Sequence, residues 1–331
     1  MNKSIDSLYK SIFGNSPYIV ENLPPSGSHR KYYRLIINEN ESIIAVSNDD
    51  YRENKAFIEF SNHFISKGIS VPKILAEDLE NGVYFQEDLG KEDLLYYIEK
   101  DNWDFSEELI SLYKKVIDNL VKIQIVGNEG IDYSYSFPRE KFDRQSILWD
   151  LNYFKYSWCR LANIPFDEDL LEKDFTFLLD YVSEDDMKYF MFRDFQSRNI
   201  LIHKGEPFFI DFQGGRKGAL QYDIASLLFD AIAEIPENIR ESLLSYYISS
   251  LNKYIEFDND RFIKSYYAYS LIRLLQAMGA FGLRGLYEKK QHFIDSIKPG
   301  LSNLMYIFKK IDKDLYLPEL YKTIENSYNK Y

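Results

Sequence analysis

Cysteine is almost missing: Cys159 stands alone in 331 residues, which rules out an intrachain disulfide and predicts a reducing, cytoplasmic setting. It reads as a small buried apolar side chain, not a reactive thiol. Only four histidines occur, at 29, 63, 203 and 292, too dispersed for a zinc site. There is no Gly-x4-Gly-Lys-Ser/Thr loop and no Gly-x-Ser-x-Gly elbow, which sets aside P-loop nucleotide hydrolysis and nucleophilic-serine chemistry. Basic stripes are lacking too. The net charge is −12 and the pI about 5.0, with lysine and arginine scattered, so no nucleic-acid partner is expected. No apolar run is long enough for a membrane span. The most hydrophobic stretch, residues 266–286, carries Arg273, Gln276, Arg284 and three glycines, and reads as a buried helix. The first ten residues have no apolar core of the signal-peptide kind, again predicting a cytoplasmic protein.

What is present is an ordinary globular balance, 45% hydrophobic and 28% charged, with enough chain for a large core in one domain or two lobes. Aromatic residues are abundant, 28 Tyr and 24 Phe, which predicts a core rich in rings.

Periodicity divides the chain. Ile5, Leu8, Tyr9 and Ile12 share one side of a helix over 4–14. A small-residue turn at 26–29 leads into a hairpin of strands near 32–37 and 42–46. Backbone N–H groups around Ser26, Gly27 and Ser28 can approach a phosphate there, because Gly27 has no side chain in the way. Phe57, Phe60, Phe64 and Ile65 mark an amphipathic helix over 51–66, stopped by Gly68 with Pro72 beyond. Strands at 71–76 and 82–86 precede a break at Glu87-Asp88-Leu89-Gly90. From Ser106 onward the pattern is helical: helices begin after caps at Ser106 and Asp143, another spans 167–182, and four more are expected near 224–234, 237–255, 259–284 and 295–310.

The exception lies between residues 190 and 223. Two strand-like runs, 200–202 and 208–210, flank a turn holding Lys204, Gly205 and Pro207, the signature of a hairpin. Asp194 and Asn199 precede the first strand and Asp211 follows the second. The hairpin brings Asn199 and Asp211 to one end of the ribbon, with Asp194 on the loop leading in. Two hard oxygen donors and a separate carboxylate are what a magnesium–nucleotide site serving a hydroxyl nucleophile needs.

Asp194-x4-Asn199, then Ile210-Asp211-Phe212-Gln213 and Tyr222-Asp223-Ile224-Ala225-Ser226, resembles the protein-kinase-like small-molecule kinases of the aminoglycoside phosphotransferase and choline kinase superfamily. The likeness is strongest to the branch of anomeric N-acetylmuramate and N-acetylglucosamine kinases. It implies an α+β, bilobal protein-kinase-like fold, with a small antiparallel-sheet lobe over 1–88 and a larger, mostly helical lobe over 89–331 that carries the catalytic hairpin. ATP and Mg2+ are the implied cofactors, and a small sugar or amine, with no nucleic acid or membrane, is the implied partner. Asp194 becomes base or orienting carboxylate, with Arg193 beside it stabilising charge or pinning the loop. Asn199 and Asp211 become metal ligands, and Asp223 a structural acceptor of loop N–H bonds. Glu87 and Leu89 fall where the lobes join and main-chain groups meet the adenine. Asp150 and Asn152, in the inserted helices, and Gln196, Arg198 and Arg216 are the candidates for substrate contact.

Two departures stand out. The second hairpin strand ends Ala45-Val46-Ser47-Asn48, without the lysine that protein kinases use to hold phosphates, which leaves Arg30, Lys31 and Arg34 as candidates. Phe192 replaces the histidine that usually precedes the catalytic Arg-Asp pair. A rival reading, an idle nucleotide-binding scaffold, follows from both, and a kinase for aminoglycosides or choline-like amines is the rival among enzymes. No activation segment ending in Ala-Pro-Glu separates Asp211 from Asp223, which argues against a protein substrate.

Overall fold

The computed structural model describes residues 3–14, 18–24, 30–183 and 187–331. Strands β1 (Ile19–Asn22), β2 (Lys31–Asn38), β3 (Glu41–Ser47), β4 (Ile74–Asp78) and β5 (Val83–Glu87) form one antiparallel sheet in the order β1-β2-β3-β5-β4. Alternation along β3 sends Ile43 and Ala45 to one face and Ile44 and Val46 to the other. The first pair packs with Ile5 and Tyr9 of the helix Lys3–Phe13, and the second joins the main core with Phe57 and Tyr84. Both faces are covered, so four successive residues of β3 are buried.

Asp50 caps the helix Tyr51–Ser66, accepting from the backbone N–H groups of Arg52 and Glu53. Its apolar face rests on the far side of the cleft. Phe57 stacks on Phe212 with centroids 4.7 Å apart, and Phe64 meets Phe190 edge-on at 5.0 Å. One continuous apolar core therefore joins the sheet, this helix and the loop that carries Asp211.

Between the lobes the chain is fixed by charge. Asp88 accepts from Arg34 Nε at 2.5 Å, Ser42 Oγ at 2.7 Å and Gly90 N at 3.0 Å, while Arg34 also donates to Glu21 and to the carbonyl of Gly90. Beyond it lie the helices Leu94–Lys100, Glu107–Ile125, Arg144–Tyr153, Glu168–Val182, Leu220–Leu228, Glu237–Leu251, Asn259–Ala280, Gln291–Asp295, Ile297–Lys310 and Pro318–Lys330. Strand β6 (Tyr189–Met191) leads into the loop 192–199, β7 (Ile200–His203) and β8 (Glu206–Phe209) make the expected hairpin, and β9 (Arg216–Gly218) returns to pair with β6. No described helix is long and apolar enough to cross a membrane.

Several boundaries differ from the periodicity. The fourth strand starts at Ile74, after Pro72, which has no N–H for a ladder. The helix expected near 224–234 runs from Leu220 to Leu228, because Asp230 leaves it to accept hydrogen bonds from Ser197. The long helix over 259–280 widens into a π-helical segment, Phe281–Tyr287, against a second such segment, Phe154–Cys159.

That contact is close because Gly279 and Gly282 lie at it. A Cβ on Gly279 would sit 2.6 Å from the ring of Tyr153, and one on Gly282 would collide with the carbonyl of Ser157. Gly282→Ala is expected to cost about 1–3 kcal/mol, read as a lower urea midpoint with unchanged m. An unchanged midpoint would mean that the two segments separate without cost.

Candidate active site

The loop 192–199 is held almost entirely by buried hydrogen bonds. The backbone N–H groups of Phe192 and Arg193 donate to Asp223 at 2.7 and 2.9 Å, and Gln124 Nε2 donates to it at 3.4 Å. The N–H and hydroxyl of Ser197 both donate to Asp230, and Asn199 Nδ2 donates to the carbonyl of Asp194 at 2.8 Å. Phe192 is buried against Phe195 and Phe212, so ring packing fills the place of the usual histidine. Arg193 takes φ +87°, a conformation that an L side chain adopts only under constraint. Its constraints are the Asp223 bond and a bidentate pair with Asp150 at 2.6 and 2.7 Å.

Asp194, Asn199 and Asp211 line a single cleft of about 620 Å³ between the lobes. Its sheet-side end is walled by Leu23, Tyr32, Ile44, Gln86, Leu89 and Ile210, a mostly apolar slot bordered by the main chain of 87–90. His203 Nδ1 lies 3.2 Å from the carbonyl of Leu89, so the hairpin grips the lobe junction directly. The opposite end is walled by the helices after residue 259, through Arg273, Gln276, Ala280, Arg284 and Phe293.

Between these ends sit the oxygen donors. The bond from Nδ2 turns Asn199 Oδ1 toward the cleft. Asp211 stands at φ +70°, its Oδ1 accepting from Gln213 Nε2 at 2.7 Å and lying 3.7 Å from Arg30; its Oδ2 has no partner among the described residues. Gln213 Oε1, also lining the cleft, is buried and unpartnered among them, the kind of orphaned acceptor that a cation or its water would satisfy. No group of three or more His, Cys, Asp or Glu side chains gathers among the described residues. A cation held by Asn199 and Asp211 would therefore draw its remaining ligands from phosphates and water, which suits magnesium.

Arg30 answers the missing strand lysine. Its buried guanidinium, entering at the start of β2, donates to Glu53 Oε2 at 3.0 Å and faces Asp211. A cation bound to the glutamate of the helix after β3 is thus present, supplied from the neighbouring strand.

Enclosure in the cleft pushes the Asp211 carboxyl upward, with Asp194 adding like charge, against the pull of Gln213 and Arg30. By side-chain area the two are alike, Asp194 43% open and Asp211 41%, and the ion pair of Asp194 among the described residues, to Arg273 at 3.8 Å, is long. Burial raises Asp223 to about 7 against its three hydrogen-bond donors. A folded value above the ordinary 3.8 means that the folded state binds this proton more tightly. The stability it contributes is complete below 3.8 and is lost as pH rises through about 7. Asp223→Asn is expected to flatten the stability profile over that window; an unchanged slope between the two chemical-denaturation series would contradict this.

The sequence-based candidates divide cleanly. Asp194, Asn199, Asp211, Gln196, Arg198, Glu87 and Leu89 line the cleft, and Arg30 touches it through Asp211. Asp223 is the buried acceptor of loop N–H groups. Corrections are needed elsewhere. Arg193 and Asp150 face each other, the guanidinium lying over the rings of Phe142 and Tyr222, so Arg193 pins the loop and Asp150 is its counter-ion, not a substrate contact. Arg216 is buried, donating to the carbonyls of Gly214 and Phe137, and burial with nearby Arg193 lowers its pKa to about 10. Asn152 does not line the cleft. Ser26, Gly27 and Ser28 lie outside the described residues. Sequence reasoning missed Arg273, Gln276, Arg284 and His292. The available signal was the spacing 273, 276, 280, 284, one polar-edged face of an otherwise apolar helix.

A model of the phosphotransferase enzyme family, APH, matches residues 21–259. The N-acetylmuramate/N-acetylglucosamine kinase of Pseudomonas aeruginosa is 26% identical over 224 residues, 66% of this chain and 62% of that protein. Among solved structures, choline kinase from Cryptosporidium parvum superposes with a TM-score of 0.63 at 16% identity, covering 93% of this chain and 94% of that one. An amicoumacin kinase in complex with AMP-PNP, Ca2+ and Ami gives 0.57 at 14% identity, covering 100% and 96%. These structural likenesses establish a protein-kinase-like fold, and the family match covers most of the chain. The chain belongs to the phosphotransferase enzyme family.

Proposed function

We propose that this protein transfers the γ-phosphoryl group of ATP, with Mg2+, to a hydroxyl of a small metabolite, an amino sugar of the N-acetylmuramate or N-acetylglucosamine type reacting at its anomeric oxygen. The observation that carries the reading is the convergence of Asp194, Asn199 and Asp211 on one cleft, with separate walls for two ligands. The junction at 87–90 would take the base of ATP, and the part of the cleft near Asp211 its phosphates. Asn199 and Asp211 would hold the magnesium, whose charge would neutralise the phosphates. Arg30, steadied by Glu53, is the phosphate cation. Asp194 accepts the proton of the attacking hydroxyl or aligns it; in a loose transition state, alignment is most of the work. The lobes meet at residues 88 and 89, with nucleotide contacts mainly before that point and acceptor contacts after it.

The sugar acceptor is supported by the names of the curated relatives, of which the chain covers 62% in the Pseudomonas aeruginosa case. The idle-scaffold alternative loses its two motives, since Phe192 is braced by packing and Arg30 supplies a cation. The test is acceptor-dependent ADP release across a panel of N-acetylated amino sugars, choline-like amines and aminoglycosides. Release with the sugars is expected; release with amines or antibiotics alone would reassign the acceptor.

A further inference from the structure

The residues that match the family model end at 259, so the match assigns nothing to Arg273, on the helix Asn259–Ala280 that walls the far end of the cleft. This side chain is buried, and two of its three nitrogens are committed. Nε donates to Ser226 Oγ at 2.9 Å and Nη1 to Gln276 Oε1 at 2.6 Å. Ser226 belongs to the neighbouring helix Leu220–Leu228 and Gln276 lies just under one turn on, so neutral groups clamp the guanidinium from two sides. The third nitrogen, Nη2, makes no hydrogen bond among the described residues and faces Asp194 Oδ1 at 3.8 Å.

A guanidinium and a carboxylate free to meet close to about 2.7–2.9 Å. In the same loop Arg193 and Asp150 do so, at 2.6 and 2.7 Å. Arg273 and Asp194 do not, because the bonds to Ser226 and Gln276 hold the guanidinium back. What remains between them matches one atom: an oxygen at about 2.8 Å from each group fits between points 3.8 Å apart. A hydroxyl suits such a gap, since it has a proton for the carboxylate and lone pairs for the N–H. Both side chains line the cleft, so the gap opens onto the space an acceptor enters.

We infer that Arg273 is a catalytic residue of the transfer, donating from Nη2 to the same acceptor oxygen whose proton Asp194 takes. This rests on the phosphotransferase reading above and adds a second group at its nucleophile. As the acceptor oxygen bonds to the γ-phosphorus, the bond from that phosphorus to the bridging oxygen breaks and ADP leaves. The hydroxyl proton passes to Asp194 and from it to water. Arg273 transfers no proton. It stabilises the negative charge that gathers on the oxygen as the proton departs, in a buried setting where a fixed donor counts for more than in water. Arg30 faces Asp211 and Arg273 faces Asp194, so one cation serves the phosphates and the other the nucleophile.

Arg273→Gln, assayed with N-acetylmuramate, or with choline should the sugar be silent, is expected to lower kcat by about 10²–10³-fold, the usual effect of removing one such donor. The dissociation constant of Mg-ATP should stay within about two-fold. Arg273→Lys, which keeps the charge and loses the planar fork, should fall between. Two readouts separate chemistry from architecture. Guanidinium chloride below denaturing concentrations should restore turnover to Arg273→Ala in a saturable way, and sodium chloride at equal concentration should not. Combined with Asp194→Ala, Arg273→Gln should cost far less than it does alone, because the two groups act on one oxygen. Unchanged kcat in Arg273→Gln, absence of rescue, or full additivity of the two losses would overturn the inference and leave the phosphotransferase reading standing. So would a raised KM for ATP with kcat kept, which would assign Arg273 to the nucleotide. No transfer by the unaltered protein to any sugar, amine or aminoglycoside would instead sink that reading, and the inference with it.

Discussion

Asp211→Ala is expected to abolish magnesium-dependent tightening of nucleotide binding. Calorimetric titration with ATP and excess Mg2+ should show affinity lower on the order of a hundred-fold or more, since loss even of a residue that only supports a metal ligand costs ten- to a hundred-fold. Titration in EDTA should differ little between the two proteins. The reason lies in the geometry. Asp211 Oδ1 is occupied by Gln213 and lies near Arg30, whereas Oδ2 is unpartnered among the described residues. Asn199 supplies only a neutral oxygen, so in the proposed cation site the charge would come from Asp211. The variant is expected to keep its fold, because Phe57 stacked on Phe212 and Phe64 edge-on to it, not the carboxylate, anchor this turn. Retention of magnesium-dependent affinity would remove Asp211 from the cation site.

The second large effect is on turnover. Asp194→Ala should lower kcat by about 10²–10⁴-fold, the usual worth of a positioned proton acceptor, with the dissociation constant for Mg-ATP within about two-fold. This split follows from where the carboxylate points. Among the described residues it makes no hydrogen bond, and its ion pair there is the 3.8 Å approach to Arg273. The loop is held through other atoms: the Asp194 carbonyl, the N–H groups of Phe192 and Arg193, and the side chain of Ser197. Removing the side chain therefore takes away chemistry and leaves architecture. Parallel losses of affinity and turnover would mean that Asp194 also binds the cation.

The contrast between these variants reflects what a sequence can and cannot carry. The hairpin and its three oxygen donors were legible because they are local: turn residues, two short apolar runs and polar residues at fixed offsets determine where Asn199 and Asp211 fall. The covering helix over 51–66 was legible for the same reason, its phenylalanines marking one face. Arg30 and Glu53 are 23 residues apart on different elements, and nothing in their spacing reveals that they pair. Arg193 and Asp150 are 43 apart, so the sequence left Arg193 between stabilising charge and pinning the loop, and only the structure locates its counter-ion. The partnership of β6 with β9 has the same character, two three-residue strands joined across the whole catalytic segment. The wall formed by the helices after residue 259 was hidden differently. The sequence of 266–286 identifies a buried helix, and burial absorbed its arginines as exceptions to be tolerated. Their spacing on one face becomes meaningful only when that face is seen to border the cleft.

One measurement follows the transferred group itself. Incubate the protein with Mg2+, ATP labelled at the γ-phosphate and an N-acetylated amino sugar, and locate the label by phosphorus NMR, with Asp194→Ala in parallel. The account predicts label on the sugar with the unaltered protein and essentially none with the variant. ATP bound but never consumed, or label appearing equally in both reactions, would contradict it.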